Sequence, residues 1–426
     1  MSNALITTLL LVCMLALGLF IRRSNTVSEF LYNAFNTRFH SVVMSTVAAQ
    51  VGAGSVVTVY ALSVHSPFTG VLIALSIGLG LFTLAFAVPR MMMISRQYNA
   101  FGLLEIIRAG HASSDRSWRL FMVPVYVLVL LKLTTQLMAL SLVVNTIFET
   151  NLYLSTIISI VVLMVYMLAA GYRAVTITDN LQFALIAGFA VLVFYFLQWP
   201  ADSSSLLINT KYPDYFPWII FAMLYLTTLS SMTHWRRIVT TKNPQSTRWA
   251  FVIAAPIVAF IILVFAVSGH VLGLDSPNSA VGLKLLLPSQ LGWLIHIGML
   301  MAILSSMDSG MISLLTENTR TSLCSIRLQV LGIGVVILIA AILFGDIIET
   351  MVSTYSALLA LFPSALMVFL GKASSARVMI ISVFCGVLAS IATWNLHFTV
   401  VPAAALGSSA LGYWISHYLV RAKMPE

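Results

Sequence analysis

Residues 298–320 read GMLMAILSSMDSGMISLLTENTR, and two adjacent hydroxyls and a carboxylate interrupt that apolar run. Polar groups are expensive in hydrocarbon, so a membrane helix keeps them where they meet a partner or a function. On a helix Ala302, Ser305, Ser306 and Ser309 fall at i, i+3, i+4 and i+7 and share one face. Hydroxyl and carbonyl oxygens on such a face suit a small hard cation. Asp308 stands about 120° away at about 100° per residue, where an intramembrane carboxylate faces a bundle interior or a water-filled path. A second reading has Ser305 and Ser306 bonding their own i−4 carbonyls or joining helices. The stretch alone leaves both readings open.

The chain has 426 residues, of which 60% are hydrophobic and 8% charged, the composition of an all-α polytopic membrane protein with no sizeable soluble domain left over. Cys13 and Cys385 lie in apolar spans and Cys324 in a basic loop, a scatter that forms neither a disulfide framework nor a metal site. Runs of roughly 17 to 25 apolar residues predict thirteen spans: 4–21, 41–64, 69–93, 118–148, 152–170, 177–198, 216–233, 248–272, 291–315, 327–345, 349–370, 376–394 and 398–419. The first, with no basic residue before it and Arg22 and Arg23 after it, reads as an N-out anchor rather than a cleaved signal peptide.

With the N-terminus outside, nineteen of the 22 basic residues fall in cytoplasmic loops, Arg236 and Arg237 among them. Only Lys211 and Lys284 lie outside, and Lys132 lies within a span. That asymmetry predicts a multi-pass protein of the cell (inner or plasma) membrane with a cytoplasmic C-terminus. The net charge of +9 resides in membrane-flanking loops, so nucleic acid is not an expected partner. The segment 98–111, YNAFGLLEIIRAGH, has helical apolar spacing and is expected along the cytoplasmic interface.

Three spans carry further chemistry. In the second, SVVMSTVAAQVGAGSVVTVYALSVH (41–65), Gly52, Ala53, Gly54 and Ser55 make a poor helix interior, and a break there frees carbonyls for a cation or a solute; close helix packing on small residues is the other reading. In the fourth, Lys132 sits mid-membrane with Gln136 one turn on, and is expected to face the interior and meet a counter-charge. In the seventh, FPWIIFAMLYLTTLSSMTHWRR (216–237), Thr227, Thr228, Ser230 and Ser231 mark another candidate break. Counted from the second span, the breaks fall in core helices one and six, as in a five-plus-five inverted repeat with its site at the midplane. Asp179 and Gln182 begin the sixth span, where Thr178 and Asp179 also read as a helix cap. No His and carboxylate share a helix face, and there is no phosphate-binding glycine loop and no Cys-His arrangement, so an enzyme is not expected.

Several of these pieces resemble the sodium:solute symporter family. GYRAVTITDNLQF (171–183) is similar to its glycine-rich turn and Trp-Thr-Asp-x-x-Gln run, with Ile177 in place of tryptophan. AILSSMDS (302–309) resembles its Met-Ser-Thr-x-Asp-Ser motif, VGAGSVVTVYALSVHSPFTGV (51–71) its unwound first core helix, and HWRRIVTTKNPQSTRWA (234–250) the loop after core helix six. The likeness covers about residues 40–330. It implies a LeuT-like inverted-repeat carrier with a peripheral segment 1–40, five-helix repeats 41–198 and 216–370, and two C-terminal helices in 371–426. It implies a Na+ site from the carbonyls of Val51, Gly54 and Ala302 and the hydroxyls of Ser305 and Ser306. Asp179 stands beside that site as a nearby charge or the ligand of a second sodium. By the same resemblance Lys132 holds an anionic solute; Ser55, Thr58, Gln136, Tyr225, Thr227 and Thr228 are the further residues expected in the solute cavity. The expected function is sodium-coupled import of a small polar, carboxylate-bearing solute by alternating access across the lipid bilayer. Alternatives are a sodium-independent or proton-coupled carrier in which Lys132 replaces the cation, and a ligand-sensing transceptor of the same fold.

Overall fold

The computed structural model describes Thr8, Val12 and residues 26–32, 37–52, 54–111, 114–197, 212–272, 291–315, 322–343, 347–372, 375–394 and 400–421. Apart from Thr8 and Val12, the expected first span lies outside these residues. Among the described residues, eight helices are long and apolar enough to cross a membrane.

A short helix α1 (Val27–Tyr32) precedes α2 (Phe39–Gln50). Val51, at φ −87° and ψ 61°, leaves the helical region, and the chain resumes as a π-helical turn, Gly54–Thr58, that runs into α3 (Val59–His65). The first expected break is therefore real. Each glycine in a helix interior costs about 1 kcal/mol relative to alanine, so Gly52 and Gly54 together make this the cheapest place to interrupt the span. Ser66, at φ −145° and ψ 75°, then turns the chain before Pro67, which begins α4 (Pro67–Tyr98) from the first-turn position that proline favours.

The interfacial segment folds as α5 (Leu103–Gly110), with Leu103, Leu104, Ile106 and Ile107 buried on one side. Next come α6 (Asp115–Phe148) and α7 (Leu152–Phe196). Here the expected loop between spans 152–170 and 177–198 is helical instead: α7 is continuous over 45 residues, about 68 Å at 1.5 Å per residue and so longer than one crossing, and within it Val175–Phe196 is long and apolar enough to cross by itself. Nothing in GYRAVT removes a backbone donor, and one glycine costs only about 1 kcal/mol, too little to end a helix by itself.

The second expected break is also real, at the end of α8 (Phe216–Leu229). Ser230 (φ −95°, ψ 14°) and the extended Ser231 (φ −70°, ψ 116°) separate it from α9 (Met232–Val239). Trp235 Nε1 takes up one freed carbonyl, that of Leu229, at 3.0 Å. The seventh span thus extends beyond residue 233. It is followed by α10 (Pro244–Leu272), α11 (Gly292–Leu315), α12 (Leu323–Leu343) and α13 (Ile347–Leu358). A 3-10 turn, Leu359–Leu361, leads into α14 (Phe362–Phe369), where Pro363 cannot continue the preceding hydrogen bonds. The last two helices are α15 (Ala376–Trp394) and α16 (Val401–Arg421), joined by the Ser382 and Ser409 hydroxyls 3.0 Å apart.

The helix carrying the opening stretch, α11, lies at the centre. Its apolar window is 89% buried, the highest share of the eight spans, and it packs on α2, α6 and α7. By contrast α12 exposes Leu328, Leu331, Val335, Ile339 and Ile342 in one helical stripe, a face made for lipid.

Candidate ion and solute site

Central placement of α11 brings Ser305 against α7, where its hydroxyl donates to Asp179 Oδ1 at 2.5 Å. The other carboxylate oxygen, Oδ2, lies 3.4 Å from Arg237 Nη2, and both side chains are fully buried. Arg237 reaches this point from α9, just past the Ser230–Ser231 break. Its Nη2 also donates to Ser309 Oγ at 2.9 Å, its Nε to Ser45 Oγ at 3.0 Å and its Nη1 to the Thr233 carbonyl at 3.4 Å. One guanidinium therefore ties together α2, α7, α9 and α11. A second, Arg236, is fully buried with its charge 4.4 Å above the Tyr172 ring and within electrostatic reach of Asp179 and Asp308.

Beside this cluster Ser306 turns toward α2 and donates to the Ala49 carbonyl at 2.9 Å. A β-carbon on Gly52 would collide with Ser306 Oγ, so the glycine is what allows the broken strand to lie against α11. The donor set expected for sodium fits a hard monovalent ion on chemical grounds. Each serine spends its hydroxyl proton on an acceptor, leaving its oxygen lone pairs to accept. The last turn of α2 carries carbonyls with no partner inside the helix. Val51 and Ala302 are both buried. Gly54 enters through its backbone in the π-helical turn.

The two breaks open onto a cavity of about 110 Å³, whose polar lining includes Gln50, Thr58, Lys132, Gln136, Ser306 and Ser309. Thr227, Thr228, Ser230, Ser231 and Tyr355 also belong to it. Lys132 Nζ stands 5.1 Å from the centroid of the Tyr355 ring. Gln50, which is also in the lining, has its Oε1 3.0 Å from His234 Nε2. The hydroxyls of Thr227 and Thr228 donate to their own helix, to Met223 and Leu224 carbonyls at 2.9 and 2.7 Å. They offer the cavity acceptors rather than donors.

Of the residues expected around the solute, Thr58, Lys132, Gln136, Thr227 and Thr228 line this cavity. Tyr225 does not: its hydroxyl lies 3.0 Å from Thr83 Oγ1 and its ring stacks on Phe221, so it joins α8 to α4. The side chain of Ser55 lies outside the described residues. Lys132 was expected to meet a counter-charge, but among the described residues it forms no ion pair, and its partner is the negative face of an aromatic ring.

Sequence reasoning missed Arg236 and Arg237. Counting basic residues as loop markers put them in a cytoplasmic loop, whereas both are fully buried. The available signal was charge balance. Two carboxylates, Asp179 and Asp308, in apolar spans require compensation, and these arginines follow directly on the broken seventh span.

No protein-family model matches the chain, and no curated protein sequence matches it. Solved structures do. The chain is similar to the substrate-bound, outward-open state of a Na+-coupled sialic acid symporter with a novel Na+ site, at TM-score 0.79 and 15% identity, covering 98% of this chain and 97% of that one. It is similar to Mhp1, a nucleobase-cation-symport-1 family transporter, closed with bromovinylhydantoin bound, at TM-score 0.62 and 13% identity over 94% and 96% of the two chains. Mhp1 in its inward-facing conformation matches at TM-score 0.54 and 14% identity over 90% and 91%. At these identities the likeness is one of architecture, and the chain has the LeuT-like helical fold of these transporters.

Proposed function

We propose that this protein is a sodium-coupled symporter that imports a small polar, anionic solute by alternating access. The observation that carries the reading is one cavity, opened by two broken helices, with Lys132 and Ser306 both in its wall. A solute carboxylate against the Lys132 amine and a cation at Ser306 would lie in the same space, each lowering the electrostatic cost of the other. Mutual enhancement of binding is what coupling requires. Inward movement of one sodium then supplies about 2.3 kcal/mol per 100 mV, besides its concentration gradient. A carrier in which Lys132 replaces sodium has less support, because the amine rests over Tyr355 and forms no ion pair with Asp179.

The test is thermal stabilisation of the detergent-purified protein by a panel of small carboxylates, amino acids and sugars, each in sodium and in potassium. A carboxylate that stabilises in sodium alone is the expected result. Equal stabilisation in both salts would overturn sodium coupling. Stabilisation by neutral sugars alone would overturn the anionic solute.

A further inference from the structure

The Arg237 guanidinium lies where a cation serving Asp179 would lie. We propose that Arg237 is the built-in cation of this carboxylate, so that the protein binds one sodium and not two; this rests on the sodium-coupled reading above.

Three observations converge on it. Arg237 Nη2 stands between Asp179 Oδ2 at 3.4 Å and Ser309 Oγ at 2.9 Å, a carboxylate and a hydroxyl that together would make half of a second hard-cation site. The guanidinium is held by all three of its nitrogens, the remaining two donating to Ser45 Oγ and the Thr233 carbonyl. It belongs to the fully buried side chains of the bundle, as does Asp179, so water and salt screen the pair far less than a surface pair.

A sodium ion added beside Asp179 would face the fixed positive charge of Arg237. At 4 Å and an effective dielectric constant of about 20, that repulsion weakens sodium binding roughly a thousandfold. Arg236, which also acts electrostatically on Asp179, adds to it. Arg237 bonds Ser45, Thr233, Asp179 and Ser309, none of them among the donors expected for the other ion, Val51, Gly54, Ala302, Ser305 and Ser306, which remain for a single sodium. Ser305 spends its proton on Asp179, so the carboxylate orients a sodium ligand without being one. Arginine is suited to this task because its charge is permanent and its planar fork matches a carboxylate.

The experiment is equilibrium binding of 22Na+ to the purified, folded protein with no solute present. Wild type is expected to bind one sodium per chain along a simple hyperbola. Arg237→Gln is expected to bind a second sodium, which Asp179→Asn on the Arg237→Gln background removes again. Arg237→Lys, which keeps the charge, is expected to stay at one. Two sodium ions per wild-type chain would overturn the proposal while leaving sodium coupling intact. No sodium bound by wild type that still unfolds cooperatively would overturn both. The wild-type stoichiometry decides the matter even where Arg237→Gln does not fold.

Discussion

Ser305 Oγ and Asp179 Oδ1 are 2.5 Å apart across the contact of α11 with α7, and both residues are fully buried. A hydrogen bond to a charged group contributes about 1.5–3 kcal/mol. Ser305→Ala is therefore expected to lower stability by about that amount, read as a fall in Tm of the sodium-free protein. An unchanged Tm would show that the serine is not the carboxylate's principal neutral donor.

Ser306 has a different task, since it faces the cavity and the Ala49 carbonyl. Ser306→Ala is expected to weaken sodium binding about tenfold or more, the loss of one polar ligand to a charge, with a small effect on stability in potassium. Sodium stimulation that survives at wild-type concentrations would remove Ser306 from the ion site. Gly52→Ala should reproduce the defect indirectly, because the new methyl occupies the space of the Ser306 hydroxyl.

Lys132 and Tyr355 form the charged wall of the cavity. Lys132→Gln is expected to cost about 2–5 kcal/mol in solute binding, as when a buried charge loses its partner, while 22Na+ binding persists. Tyr355→Leu should cost less, about 0.5–2 kcal/mol, by releasing the amine from the ring. Solute transport retained in the Lys132 variant would make the lysine structural.

Arg237→Ala leaves Asp179 as an uncompensated buried charge, and is expected to cost about 3–5 kcal/mol of stability. Pairing it with Asp179→Ala should recover much of that loss. A double variant as unstable as the sum of the two single variants would mean that the ion pair is not coupled.

His111, between α5 and α6, is fully buried, with Nδ1 donating to the Ile107 carbonyl at 3.0 Å and Nε2 3.4 Å from the Tyr413 hydroxyl. Burial pushes its pKa down from 6.5 to about 4, against a smaller opposing pull from the Ile107 carbonyl. Below pH 6.5 the unfolded chain takes up a proton that the folded chain refuses, so stability falls as pH drops from 6.5 toward 4, by about 3 kcal/mol at most. His111→Gln is expected to flatten this part of the Tm profile. An identical slope in wild type and variant would place the acid sensitivity elsewhere.

The sequence by itself determined the all-helical membrane architecture, because apolar run length is set by bilayer thickness and by the need to satisfy every backbone group inside the segment. It also located both broken helices, since glycine pairs and consecutive hydroxyls carry their conformational cost locally. What only the tertiary structure decided was which charges meet. Asp179 and Arg237 are 58 positions apart, and the positive charge that looked like a loop marker lies in the bundle because a buried carboxylate is tolerable only with a cation beside it. Likewise the side on which Tyr225 faces and the ring under Lys132 depend on helix packing. Neither composition nor spacing records which faces of two distant helices will be pressed together.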